Sequence, residues 1–277
     1  TDPELKREAL LTAGELYDKV DVVEDAIRVY EIYVAEYPLP MDIAMETRSR
    51  LAEIFKLRLD YSRYYEELGE IVAADREAGI DRTDRSRYLA SKAALVLAER
   101  TYERFADLQL TQPFEESLNE KQNRMDRATA AFEALVSYEV ADVTSAATYY
   151  IARIYLDFSV ALLESERPAA LSDVEKVDYE MVLEEEALPF EERAIEIHEE
   201  NFELLAAGIY NEWVQQSLDE LAVLMPGRYA KNETSEGYLG SIDSYAYRMP
   251  IVPEVTIMVP DAAAESPDGL VSSQEPQ

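Results

Sequence analysis

From Leu5 to Leu224 apolar positions recur at intervals of three and four residues, the period of one face of an α-helix. The run PELKREALLTAGELYD predicts a helix over 3–18 started by Pro3 and Glu4, and DVVEDAIRVYEIYVAEY a second over 21–37 capped by Asp21. Pro38 and Pro40 break the pattern, because proline lacks the N–H that the next helical bond needs. Helices follow over 42–59 and 61–77, the second ended by Gly79, and then over 84–110 from a start at Thr83 and Asp84. After Gln112 and Pro113 a return helix covers 114–138. It is apolar only from Ala128, so its polar stretch NEKQNRMDR is expected to project past its neighbours. A helix over 141–165 ends before Pro168. Ser172 caps the next, in which Pro189 predicts a break or kink between Leu188 and Phe190. The last helix, 208–225, carries Trp213, Leu218 and Leu221, and Pro226 and Gly227 close it. The helical period then vanishes, which divides the chain into a helical domain, 1–226, and an irregular tail, 227–277. Within the tail, IVPEVTIMV alternates apolar residues as an extended segment does, and the end from about Pro260 has the small, polar composition of a disordered one.

The first two helices pair small residues with aromatic ones at fixed offsets. Gly14 is followed by Tyr17, Ala26 by Tyr30, and Pro38 closes the window, with Leu10 and Ala13 ahead of it. A small residue lets a partner helix come close, and an aromatic ring fills the space beside it. Ala52 and Phe55 repeat the device 38 residues after Gly14, although Tyr64 stands where a second small residue is expected and Arg76 where a proline is. Ala90, Ala94, Ala98 and Tyr102 form one stripe, and Ala128 with Phe132 and Ala152 with Tyr155 continue the theme. This pattern resembles the tetratricopeptide repeat. The resemblance implies an all-α fold, a right-handed α-solenoid of stacked antiparallel helix pairs, whose extended face holds a peptide or partner protein. Residues 130–231, with the closing phrase LAVLMPGRYAK, are similar to the large tetratricopeptide proteins of Gram-negative envelopes, some of which accompany TonB-like or gliding systems driven by proton channels. That likeness implies the periplasm, a longer parent chain and envelope-complex components as partners; the cytoplasm is the alternative.

Composition changes the picture in two ways. Few glycines and many tyrosines, alanines, leucines and glutamates agree with helices throughout. The formal net charge of −32, from 58 acidic and 26 basic residues, makes nucleic acid and anionic membranes poor partners, because counterion release from a phosphate backbone needs cations. A solvated acidic surface and the steering of a basic partner are both compatible with that charge. Without cysteine there is neither a disulfide nor a thiolate metal site. No stretch has the composition of a membrane span, and no basic-then-apolar leader opens the sequence. The start at Thr1 suggests a processed product or a piece of something longer.

Candidate chemistry is thin. His198 is the only histidine; Phe202 stands where a zinc motif needs a second one, and Ile195 where a carboxylate-bridged di-metal motif needs glutamate. It is therefore read as a surface or interhelix side chain. Glu184 to Glu186, Glu191, Glu192, Glu199 and Glu200 point in different directions around one helix, so they read as a solvated face rather than an acid/base pair. No phosphate loop, nucleophile elbow or calcium loop occurs. Neither catalysis nor a cofactor is expected.

Most tyrosines are expected in the core, but Tyr33, Tyr61, Tyr65 and Tyr150 flank small partners and, with Arg28, Arg58 and Arg63, form the candidate peptide-binding set. The expected function is a non-enzymatic scaffold for protein–protein interaction. Its rivals are an acidic all-α glycoside hydrolase, whose cleft needs several sugar-stacking tryptophans where Trp213 stands alone, and a cytoplasmic chaperone adaptor, which needs a basic groove.

Overall fold

The structure is a computed structural model that describes residues 2–231. Among the described residues it is all-helical, without a strand. The helices are α1 (Pro3–Lys19), α2 (Val23–Glu36), α3 (Met41–Leu57), α4 (Tyr61–Glu77), α5 (Asp84–Ala106), α6 (Phe114–Val136), α7 (Ala141–Leu163), α8 (Asp173–Glu203), α9 (Glu212–Leu224) and the single turn α10 (Pro226–Tyr229). The expectations for an extended IVPEVTIMV and a disordered end lie outside the described residues.

Local chemistry explains most of these boundaries. Asp2 accepts the Glu4 N–H ahead of Pro3, and Asp60 accepts that of Arg63. Thr83 with Ser86, and Ser172 with Glu175, form reciprocal caps in which each side chain takes the other residue's backbone N–H. Gly79, with φ +52°, turns the chain after α4. The turns after α1 and α3 are alike: the carbonyls of Tyr17 and Phe55 accept from the amides of Val22 and Asp60, both at 2.9 Å, around left-handed Asp21 and Leu59. Asp21 therefore does not cap α2. That helix starts after Val22 with no side-chain cap, because Asp21 is committed to the turn.

Three other expectations are corrected. Pro189 neither breaks nor ends α8, which runs unbroken from Asp173 to Glu203. Pro189 and Glu185 are both exposed, so solvent can take the carbonyl that the missing N–H leaves free. The polar half of α6 does not project, since Lys121 and Met125 are both buried. The last long helix begins at Glu212 rather than near residue 208, after a 3-10 turn, Leu204–Ala207, and a left-handed Gly208; Asn211 caps it by accepting the Val214 N–H.

Each helix packs on its neighbours in sequence. In addition α3 packs on α5, α5 on α7 and α7 on α9, whereas the even-numbered helices make no comparable contact with one another. Two apolar clusters result. One gathers Tyr30, Tyr33, Leu51, Phe55, Tyr64 and Ile71 from α2, α3 and α4. The other gathers Phe105, Phe132, Leu135, Ile154, Phe158 and Ala187 from α5 to α8. Helix α5 serves both, giving Ala90 and Ala93 to the first and Leu95, Ala98 and Phe105 to the second. Burial of each large side chain contributes about 1.5–3 kcal/mol, so each cluster draws its stability from several helices at once.

Gly14 is where the small-residue device can be tested. Its partner is not Tyr17 on its own helix but Tyr30 on α2: a Cβ built on Gly14 stands 2.7 Å from Tyr30 Cδ1 and nearer still to Cε1. That ring is buried and cannot swing aside. Gly69, inside α4, has nothing within 4 Å of such a Cβ. Alanine has a helix propensity about 1 kcal/mol better than glycine, while overpacking costs about 1–3 kcal/mol. Gly14→Ala is expected to lower stability by up to about 2 kcal/mol and Gly69→Ala to raise it by about 0.5–1 kcal/mol, opposite shifts of the urea midpoint for one and the same substitution.

Candidate functional site

The candidate residues from the sequence do not converge. Arg28, on the exposed side of α2, binds Asp25 one turn earlier at 2.6 Å. Arg58, after α3, reaches Glu24 of α2 at 2.6 Å. Arg63 on α4 pairs with Glu31 of α2 and lies 4.0 Å over the Phe55 ring. Tyr61 and Tyr65 stack at 6.5 Å, and the Arg100 guanidinium covers Tyr65 at 4.2 Å. Tyr33 is 1 % exposed, a core residue with no ring face to offer a ligand. In this acid-rich chain all three arginines are already paired with carboxylates, Arg28 within its own helix and Arg58 and Arg63 with α2. Only Tyr150, on α7, lies among the odd-numbered helices.

Around Tyr150 the structure assembles a site that the sequence did not reveal. Its ring stacks on Phe132 at 4.8 Å and meets Tyr102, Tyr149 and Trp213 at 5.2, 5.5 and 5.4 Å. Its hydroxyl donates to Glu99 at 3.2 Å. One turn along α5, the Tyr102 hydroxyl donates to Asp157 at 2.6 Å. Arg153 joins Asp157 at 3.1 Å to Glu220 of α9 at 2.7 Å. Lys56 of α3 and Glu103 of α5 lie close enough for their charges to act on Glu99. A polar band thus crosses α3, α5, α7 and α9. The spacing of Arg153 and Asp157 was readable as a helical ion pair; their partners on α5 and α9 were not, because those depend on which helices cross.

Burial sets the electrostatics of the band. It raises the Glu99 carboxyl above the usual carboxylate range, against the bond from Tyr150. It also pushes the Tyr102 and Tyr150 hydroxyls up, and the carboxylates they serve push them further, so both remain donors at any physiological pH.

A cavity of about 700 Å³ opens between the end of α5 and α7, lined by Tyr102, Leu110, Lys121, Arg153, Asp157 and Glu166. Lys121 closes its floor. Its ammonium donates to the carbonyls of Phe105 and Leu108, both at 2.8 Å, and sits 4.2 Å from the Phe105 ring. Burial lowers its pKa to about 8, and the carbonyls at the end of α5 hold the protonated form. This lysine terminates a helix; its charge is spent before any ligand arrives. A second cavity, of about 750 Å³, lies between α4 and α6 over α5. Small residues, Ala94, Ala98, Thr101 and Ala131 among them, line much of it, and fewer polar groups converge there.

Of the two readings of His198, surface or interhelix, the second fits: the side chain is fully buried, with its ring 5.8 Å from that of Tyr149. Neither ring nitrogen has a hydrogen-bond partner. Burial, helped by the Arg153 charge, lowers its pKa to about 4. Among the described residues no group of three histidine, cysteine, aspartate or glutamate side chains is placed to hold a metal ion.

Both buried basic side chains can be tested. Lys121→Met leaves buried carbonyls unpaired and is expected to cost about 2–3 kcal/mol in urea denaturation. For His198 the folded pKa lies below the unfolded value of 6.5, so the unfolded chain binds the extra proton, and this stability is complete above 6.5 and lost as pH falls toward 4. Between pH 7 and pH 5 the wild-type chain should lose about 2 kcal/mol more than His198→Leu, read as the difference in their urea midpoints at the two pH values.

Compared with protein-family models, curated proteins and solved structures, the chain matches none.

Proposed function

We propose that the helical unit is a right-handed α-solenoid of antiparallel helix pairs, similar to tetratricopeptide arrays, and that it works as a non-enzymatic scaffold. Its ligand is a peptide or partner segment held along the face of α3, α5, α7 and α9. The observation that carries this reading is the one-sided packing, in which odd-numbered helices touch one another and even-numbered ones do not. A layer whose helices touch, beside a layer whose helices stand apart, curves toward the touching side and gives a concave face. The polar band and the cavity of about 700 Å³ lie on that face. Tyr150 is the one residue of the sequence-derived set that the proposal retains. The likeness of residues 130–231 to envelope tetratricopeptide proteins favours a periplasmic complex as the setting.

Photo-crosslinking distinguishes the two faces. Lys56 and Glu103 are exposed beside Glu99, whereas Arg76 and Glu77 are exposed beside cavities between even-numbered helices. Crosslinkers at Lys56 and Glu103 should capture one and the same polypeptide from an extract of the source organism, and crosslinkers at Arg76 and Glu77 should not. The double reversal Lys56→Glu/Glu103→Lys should weaken that partner about tenfold, equivalent to about 1.4 kcal/mol. Equal capture from both faces would refute the proposal.

A further inference from the structure

The first half of α8 carries an apolar stripe that nothing in the described chain covers. Val174, Val177, Met181 and Leu188 are 73 %, 59 %, 62 % and 53 % exposed. At about 100° per residue the four fall within about 60° of one another, well away from Leu183 and Ala187, through which this half of the helix is buried. Farther along α8 the same side is occupied. There Glu199 accepts from Arg228 at 2.6 Å and from the Tyr229 hydroxyl at 2.7 Å, and the Phe202 ring meets Tyr229 edge-on. That cover is the single turn α10, four residues against 31 in α8. The stripe therefore continues an interface that the chain itself uses and then leaves unfinished. At about 1.5 Å per residue, 174–188 extends about 21 Å, the reach of a helix of about four turns.

Charge selects the occupant. From Asp173 to Glu192 the helix carries nine carboxylates and one cation, Lys176. A second copy brings the same face and a net charge of −32, which places like charges against each other. Residues 232–277 bring eight carboxylates and one arginine, so they complement the face no better. We infer that the stripe on α8 is a docking face for a basic amphipathic helix of a partner protein, with apolar residues at helical spacing on Val174, Val177, Met181 and Leu188 and lysine or arginine on both flanks. This face is separate from the surface of the odd-numbered helices, and either can fail without the other.

The test uses the full chain and a fluorescent peptide of about 18 residues, with leucines at i, i+3, i+4 and i+7 and lysines flanking them. Anisotropy should report binding that weakens as salt rises. Val177→Asp/Met181→Asp should weaken it tenfold or more, although this variant is the more acidic, so that charge alone predicts the opposite sign. Both positions are exposed, and circular dichroism should be unchanged. Val223→Asp, at an exposed position on α9, should leave binding as it was. Four results would overturn the inference: no binding at about 1 mM peptide; equal binding of a shuffled peptide of the same composition; a wild-type dimer that the double variant turns into a monomer; or binding that appears only once residues 232–277 are removed.

Discussion

Close approach between helices is the constraint on which the rest of the structure depends. Ala26, Ala52, Ala90, Ala128, Ala146, Ala147, Ala152 and Ala194 are all buried to within 1 % of completely, and Gly14 lies under the Tyr30 ring. At each of these positions a larger side chain would hold two backbones apart. The aromatic rings then fill the space the small residues leave, as Tyr30, Phe55, Phe132 and Phe158 do. Because α5 offers small residues to both clusters, it ties the two halves of the helical unit together. The direct contacts of α3, α5, α7 and α9 follow from the same economy of side-chain volume.

Electrostatics adds register rather than strength. Arg58–Glu24, Arg63–Glu31, Arg50–Asp18 and Arg153–Glu220 each join different helices, and most are open to solvent, where such a pair contributes about 0–1 kcal/mol. Their larger effect is on what remains. With 26 cations and 58 carboxylates, pairing cations between helices leaves a surplus of unpaired acid, and the first half of α8 holds a dense share of it. The outward field is that surplus, so approach by a basic partner is favoured before any contact forms.

Boundaries were legible in the sequence wherever a local device sets them. Thr83 and Ser172 announce their helices by capping, Gly79 ends one by its left-handed backbone, and Pro38 and Pro113 separate others. Asp21 misled because aspartate suits both an N-cap and a left-handed turn, and the turn won. Pro189 misled because a proline on an exposed face leaves its orphaned carbonyl to water. The polar half of α6 misled because Lys121 looks solvated in sequence yet finds the end of α5. Tyr102, Glu99 and Asp157 were invisible as a group for a related reason: their meeting is set by the α5–α7 crossing, and no spacing along one helix encodes it.

The odd-numbered layer and the α8 stripe differ in how they can recognise anything. In the layer, Tyr150 serves Glu99, Tyr102 serves Asp157, and Arg153 spans Asp157 and Glu220, so each donor already has an acceptor. A ligand there must replace bonds it displaces, and the gain per contact is small while the geometric demand is high. On α8 the exposed groups are apolar and have nothing to surrender but water, so burial contributes affinity directly at about 25 cal/mol per Å². Discrimination on that face would fall to the surrounding carboxylates, which repel an acidic helix and attract a basic one. On the two proposed readings, one chain would separate the two demands of recognition: shape and polarity on one surface, apolar burial ringed by charge on another.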